Sequence, residues 1–311
     1  MRKNAIAVTI FIFFITIVFC CPSAVWAGSS PNKKKPGNFQ LHSPIRLTMT
    51  SEGNLLASDY QSGMVVTIDH NSLKATHCFP VEGRPLGVAY AKGHIYVGNV
   101  SKKCVEVYNR GGKKMFNLGS PTEVIKHPTD IAVDERSNYL FVVDGVEKSV
   151  KMFHLIRGQY IRTIPTSNPN NTILANPTGI AVDPASKEVF VSDYGDDNQY
   201  IQPRIQILDY NGNLVDTISG KQGMFGTRFS RPQGLAVDES GHVFMVDCYS
   251  SEILVFDRFN GDLLKTLGGY GTEPGQLRLP LDIVINSTSK DIYVTNNRSA
   301  TIEIFLKGGQ L

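Results

Sequence analysis

Residues 176–183 read Asn-Pro-Thr-Gly-Ile-Ala-Val-Asp, and two other stretches are near copies: residues 127–134 (His-Pro-Thr-Asp-Ile-Ala-Val-Asp) and residues 231–238 (Arg-Pro-Gln-Gly-Leu-Ala-Val-Asp). Weaker copies begin at three further prolines, Pro44, Pro85 and Pro280. Successive prolines are 41 to 55 residues apart. A period of this length without the 3.6-residue apolar spacing of helices is typical of the blades of a β-propeller.

Each unit has the same internal order, which predicts four antiparallel strands. An apolar run follows the proline, and a second run ends in Asp or Asn. An alternating strand such as residues 204–209 and, after a glycine turn, a fourth strand complete the unit. The sixth unit supplies three strands only, and we expect Asn38–His42 to complete it, because a closed ring leaves no exposed edge. The predicted fold is all-β: a six-bladed β-propeller of four-stranded antiparallel blades with 3+1 closure, in which the N-terminal strand completes the last blade.

The N-terminus predicts export. Residues 1–27 combine a cationic start, an apolar run and small residues before a cleavage point, as a signal peptide does. Residues 28–37 then form a flexible linker, and residues 38–311 form the propeller. An uncleaved anchor, or a lipid on Cys20 or Cys21, is the alternative and would be the chain's one link to a membrane. The expected location is secreted or periplasmic.

Charge and cysteine content limit the partners and the cross-links. The net charge of the 311 residues is +3, and removal of Arg2 and Lys3 with the signal leaves +1. Nucleic acid is therefore not expected as a partner, since it requires a concentrated basic face. Three cysteines remain after cleavage, Cys78, Cys104 and Cys248, so at most one disulfide can form within the chain, and whether Cys78 and Cys104 are bridged stays open.

The motifs between Pro177 and Asp209 resemble the NHL repeat. They read Pro-x-Gly-Ile-Ala-Val-Asp, then Val-Ser-Asp-Tyr, then Arg-Ile-Gln-Ile-Leu-Asp. The glycine-rich residues 268–277 resemble the turn between repeats in that family. The similarity is strongest in units three to five and covers most of residues 38–311. It implies a six-bladed propeller.

The predicted binding site lies at one mouth of the central channel. Residues directly before the prolines, and residues just after the Asp or Asn positions, are expected to ring this mouth. Arg84 and Arg231 come from opposite units and are placed to hold an anionic group between them. Residues before proline are also selected for extended geometry alone, which is the structural alternative. The predicted ligand-binding residues are Tyr60, Arg84, His127, Asn176, Tyr194, Arg231 and Tyr249.

Catalysis, a cofactor and a metal site are not predicted. Related lyase propellers hold zinc on three histidines, and here only His127 has the required position in its repeat. The repeated Asp residues are expected to accept turn amide hydrogens instead. The predicted function is a monomeric, non-catalytic scaffold that binds a protein or a small anionic ligand. The alternatives are a metal-dependent lactonase or lyase using His127, Asp144 and Asp193, and a structural protein of the cell envelope.

Overall fold

The chain folds into six antiparallel β-sheets, the blades, arranged around a central channel. The computed structural model describes residues 39–118, 124–165, 174–222, 226–227 and 229–306. The predicted signal peptide and linker lie outside these residues. The strands of blades 1 to 3 are β1 (Pro44–Met49), β2 (Leu55–Asp59), β3 (Met64–Ile68), β4 (Ala75–Pro80), β5 (Pro85–Ala91), β6 (His94–Asn99), β7 (Cys104–Asn109), β8 (Lys114–Leu118), β9 (Pro128–Asp134), β10 (Tyr139–Asp144), β11 (Ser149–His154) and β12 (Tyr160–Ile164).

Blades 4 to 6 repeat the arrangement. In the first five blades the four strands are hydrogen-bonded in chain order, and a two-stranded ribbon lies between blades 4 and 5. The strands are β13 (Pro177–Asp183), β14 (Glu188–Asp193), β15 (Arg204–Asp209), β16 (Leu214–Ile218), the ribbon β17 (Lys221–Gln222) and β18 (Gly226–Thr227), β19 (Pro232–Val237), β20 (His242–Asp247), β21 (Glu252–Asp257), β22 (Leu263–Gly268), β23 (Pro280–Ile285), β24 (Ile292–Asn296) and β25 (Thr301–Phe305).

The first strand of every blade lies next to the channel, and these inner strands form a closed ring. The contacts run β1 to β5, β9, β13, β19 and β23, and from β23 back to β1. Side chains join the last blade to the first: Thr295 Oγ1 donates to the Ile45 carbonyl at 3.2 Å, and Asn297 Nδ2 donates to Ser43 Oγ at 3.0 Å. The six-bladed propeller predicted from the repeats is therefore confirmed.

The predicted fourth strand of the last blade is the point of difference. Among the described residues the sixth sheet has three strands, β23 to β25, and residues 39–42 are not in a strand. Phe39 and Leu41 instead pack against the hydrophobic cluster between blades 6 and 1, which contains Leu47, Tyr293 and Ile302. This segment covers the joint between the blades by apolar contact and does not extend the sheet. Asn38 lies outside the described residues.

Hydrophobic clusters between neighbouring blades hold the ring together. The cluster between blades 2 and 3, for example, joins Val105 and Val107 of β7 to Leu140 and Val142 of β10, all fully buried. Burying such side chains contributes roughly 1.5–3 kcal/mol each. The fourth strands are mostly exposed, as in β16 and β22. Within the described ranges, no helix has the length and apolar character needed to cross a membrane.

Candidate functional site

The second strand of each blade ends in a buried Asp or Asn that organises the mouth of the channel. Asp247 accepts four backbone N–H groups: those of Ser230 (2.6 Å), Arg231 (2.8 Å), Tyr249 (3.1 Å) and Ser250 (3.2 Å). Its carboxylate thus ties together the two loops that present Arg231 and Tyr249. The prediction that these residues accept turn amide hydrogens is confirmed. The others are Asp59, Asn99, Asp144, Asp193 and Asn296.

Arg231 is stacked on tyrosine at this mouth. The guanidinium carbon of Arg231 lies 4.0 Å from the ring centroid of Tyr194 and 5.5 Å from that of Tyr249. These rings come from blades 4 and 5, so the cation lies at the joint between two blades. Among the residues that the structure describes, the contacts of this guanidinium are those two rings; no carboxylate lies within 4.0 Å of it and no atom accepts a hydrogen bond from it. Its planar fork of N–H donors is therefore oriented and available for an anion.

A second arginine–tyrosine pair lies on the opposite side of the ring. The Arg84 guanidinium carbon is 5.3 Å from the Tyr60 ring centroid, and Arg84 Nη1 donates to the Tyr60 hydroxyl at 2.9 Å. Arg84 is exposed. Because Arg84 Nη1 already donates to the Tyr60 hydroxyl, fewer of its N–H groups are available to an anion than in Arg231.

His127 and Asn176 belong to neither cluster. The His127 backbone N–H donates to Asp144 at 3.1 Å, and burial lowers the pKa of the ring despite the nearby Asp144 charge. The imidazole is therefore neutral at pH 7 and adds no cation to the mouth. Asn176 Nδ2 donates to the Gly195 carbonyl at 2.6 Å, which holds the loop beneath Tyr194. Five of the seven predicted residues thus form two clusters, and two support the loops between them.

The two carboxylates named for the alternative, metal-dependent enzyme accept backbone hydrogen bonds in this structure. Asp144 accepts backbone N–H groups from Lys126, His127, Val146 and Glu147, so its oxygens are already engaged. Asp193 likewise accepts three backbone N–H groups and lies 3.3 Å from Arg204 Nη2. Among the described residues, no group of three or more His, Cys, Asp or Glu side chains is arranged to hold a metal ion.

Comparison with known proteins agrees with this fold. Residues 229–256, which include the inner strand and second strand of blade 5, match the NHL repeat model. The chain is a six-bladed β-propeller with an NHL repeat. None of the curated proteins has a significantly similar sequence.

Several solved structures share the architecture of this NHL-repeat propeller. A chain of Kuenenia stuttgartiensis hydrazine synthase aligns with a TM-score of 0.63 at 13% identity, over 91% of this chain and 100% of that chain. A chain of a nidogen/laminin complex gives 0.63 at 18% identity, over 82% and 89%. A structural genomics protein of unknown function from Bacteroides thetaiotaomicron VPI-5482 gives 0.66 at 17% identity, over 85% and 69%. At these identities the likeness shows the fold alone.

The channel of the NHL-repeat propeller is closed by a buried arginine that the sequence analysis missed. Arg46, on β1, is 4% exposed. Its guanidinium donates to the carbonyls of Thr129 (3.2 Å), Leu281 (2.9 Å) and Thr178, so it reaches three other inner strands. It also lies 3.5 Å from Asp130 and 3.6 Å from Asp282.

The two carboxylates in turn hold neighbouring inner strands together. Asp282 Oδ2 accepts the Leu47 N–H at 2.7 Å, and Asp130 Oδ2 accepts the Ile180 N–H at 3.0 Å. All three charged residues stand two positions after a repeat proline. The other repeats have glycine there, and a Cβ on Gly234 would lie 2.1 Å from Asp282 Oδ1. Comparison of this single position across the six repeats would have revealed one Arg and two Asp facing the channel.

Proposed function

We propose that the chain is an exported, non-catalytic binding scaffold that holds an anionic group, on a protein or a small ligand, at the channel mouth. The proposal rests on the Arg231 guanidinium, which lies over the ring of Tyr194 and has no carboxylate partner among the described residues. A cation already held in one orientation loses little entropy on binding. Export rests on the sequence of residues 1–27.

The arrangement favours recognition of planar oxyanions. A guanidinium is planar and presents parallel N–H groups that match the two oxygens of a carboxylate, while the tyrosine faces restrict its orientation and partly dehydrate it. Arg84 with Tyr60 supplies a second cation on the opposite side of the ring. Asp247 and Asp193 hold the surrounding loops through backbone hydrogen bonds, so the binding surface is rigid before a ligand arrives.

Titration with acetate, the smallest carboxylate, tests this function. The NMR resonance of the Arg231 Nε–H group should shift in a saturable manner, whereas that of the exposed Arg157, outside the mouth, should not. Arg231→Lys keeps the charge but loses the planar fork, and should weaken acetate binding at least fivefold. Equal responses at Arg231 and Arg157, or unchanged affinity in Arg231→Lys, would refute an anion site at Arg231.

A further inference from the structure

The inner strands give the channel mouth one apolar half and one polar half. The residue after each repeat proline lies on an inner strand at the mouth end and is half-buried in all six blades. Going around the ring, the apolar residues come from blades 6, 1 and 2, and the polar residues come from blades 3, 4 and 5. In that order the six are Leu281, Ile45, Leu86, Thr129, Thr178 and Gln233.

The three apolar residues are not part of the hydrophobic core that the structure describes. Ile45, Leu86 and Leu281 are in none of the six buried clusters, although residues two positions further along the same strands, such as Leu47 and Val88, are. Partly exposed apolar side chains that form a contiguous arc near a channel mouth provide an apolar contact surface for a ligand.

One more apolar residue, Leu279, lies on the rim in the same half of the mouth. Leu279, which precedes Pro280 on the rim of blade 6, is half-buried and has φ of +57°. The Leu279 carbonyl accepts the Asn297 N–H at 3.3 Å, which helps to hold this conformation. Leu279 is thus one more partly exposed apolar residue, two positions before Leu281.

The opposite half carries the charge. Arg231 directly precedes Pro232, so it lies on the rim above Gln233, in the polar half. Below the mouth, Arg46 with Asp130 and Asp282 closes the channel. Because that lower layer already contains two carboxyl groups, it offers no excess positive charge to an anion. The rim at Arg231 is therefore the place suited to an anionic group, and the apolar residues lie in the other half of the same mouth.

We propose that the ligand is a small amphipathic carboxylate, with its anionic group on Arg231 and its hydrocarbon part on Ile45, Leu86 and Leu281. This inference rests on the proposed function. It favours a small molecule over a protein because Arg231 and the three apolar residues lie in opposite halves of a single channel mouth, which Arg46 spans below. A protein partner would be the conclusion if small carboxylates of every chain length bound equally weakly.

The test compares butanoate, hexanoate and octanoate with the isotope-labelled chain by NMR. Affinity should rise about fourfold for each added methylene, which corresponds to burial of roughly 0.8 kcal/mol per CH₂. The methyl resonances of Ile45, Leu86 and Leu281 should shift with the longer acids. Affinity independent of chain length, with the Arg231 Nε–H shift retained, would overturn this inference but leave the proposed function intact. Absence of any shift at Arg231 would instead refute the proposed function.

Variants separate the apolar surface from the fold. Leu86→Thr and Leu281→Thr introduce the residue that blades 3 and 4 already have at this position, so the inner strands should accept it. Each should lower octanoate affinity about fivefold and leave acetate affinity unchanged. Thr129→Leu, the reverse change in the polar half, is the matched control and should not weaken octanoate binding. Equal losses of octanoate affinity in all three variants would contradict the proposed division of the mouth.

Discussion

Replacement of Arg46 by methionine removes the cation that closes the channel while it keeps most of the apolar stem. The guanidinium donates three hydrogen bonds to backbone carbonyls and lies within 3.6 Å of both Asp130 and Asp282. Removal of one partner from a buried ionic cluster costs about 3–5 kcal/mol, because the remaining charges stay buried. We expect Arg46→Met to lower the free energy of unfolding by about 4 kcal/mol and Tm by roughly 10 °C.

The loss should depend on pH. Burial raises the pKa of Asp282 well above its usual value and also raises that of Asp130, while Arg46 opposes both shifts. Without Arg46 both pKa values rise further. A carboxyl group whose pKa is higher in the folded state contributes stability that is complete below the unfolded pKa and is lost as the pH rises through the folded pKa. Arg46→Met should therefore be more destabilising at pH 8 than at pH 5.

Urea unfolding followed by circular dichroism at both pH values measures the effect. The triple variant Arg46→Met, Asp130→Asn, Asp282→Asn removes all three charges but keeps oxygen acceptors for the strand N–H groups. It should recover most of the lost stability. A loss below about 1 kcal/mol for Arg46→Met, or a loss that is equal at both pH values and not recovered in the triple variant, would refute the role assigned to this buried cluster.

Two further substitutions and one labelling experiment test the mouth and the inner strands. Asp247→Ala leaves four backbone N–H groups without their acceptor. It should lower the free energy of unfolding by about 3 kcal/mol, measured in urea, and weaken acetate binding, measured by NMR titration. Asp262→Ala, at an exposed carboxylate, is the control and should change neither quantity. Gly234→Ala places a Cβ 2.1 Å from a carboxylate oxygen of the next inner strand and should lower Tm, whereas Gly111→Ala, with its nearest atom at 3.5 Å, should not. Burial raises the pKa of the Cys248 thiol to about 12. Iodoacetamide at pH 8 should therefore alkylate this thiol only after the protein is unfolded in urea. Equally fast alkylation of the native protein would contradict this prediction.

The fold was largely predictable because its information is local and repeated six times. Every repeat proline begins an inner strand, as Pro128 and Pro177 show, and every following Asp or Asn ends a second strand. The fourth strand expected at Asn38–His42 was not found among the described residues. The open edge of the last blade predicts that another segment covers it. The sequence alone does not tell whether that segment pairs as a strand or packs through apolar side chains, as Phe39 and Leu41 do.

The site was predictable in part for the same reason. The repeat phase placed Arg231, Tyr194 and Tyr249 on one face, but contact between them depends on how adjacent blades are rotated, which sequence does not state. The buried cluster around Arg46 was missed because its members are about 84 to 236 residues apart, and because one charged residue in one repeat does not indicate a buried ionic cluster. Cys104, buried and not bridged to Cys78, also required coordinates.

A crystal structure of the chain with bound octanoate tests the central claim most directly. Both carboxylate oxygens should lie about 2.7–2.9 Å from the Arg231 guanidinium, which should remain stacked on Tyr194, and the alkyl chain should contact Ile45, Leu86 and Leu281. Electron density for octanoate away from the channel mouth, or an Arg231 side chain paired with one of the protein's own carboxylates, would contradict it.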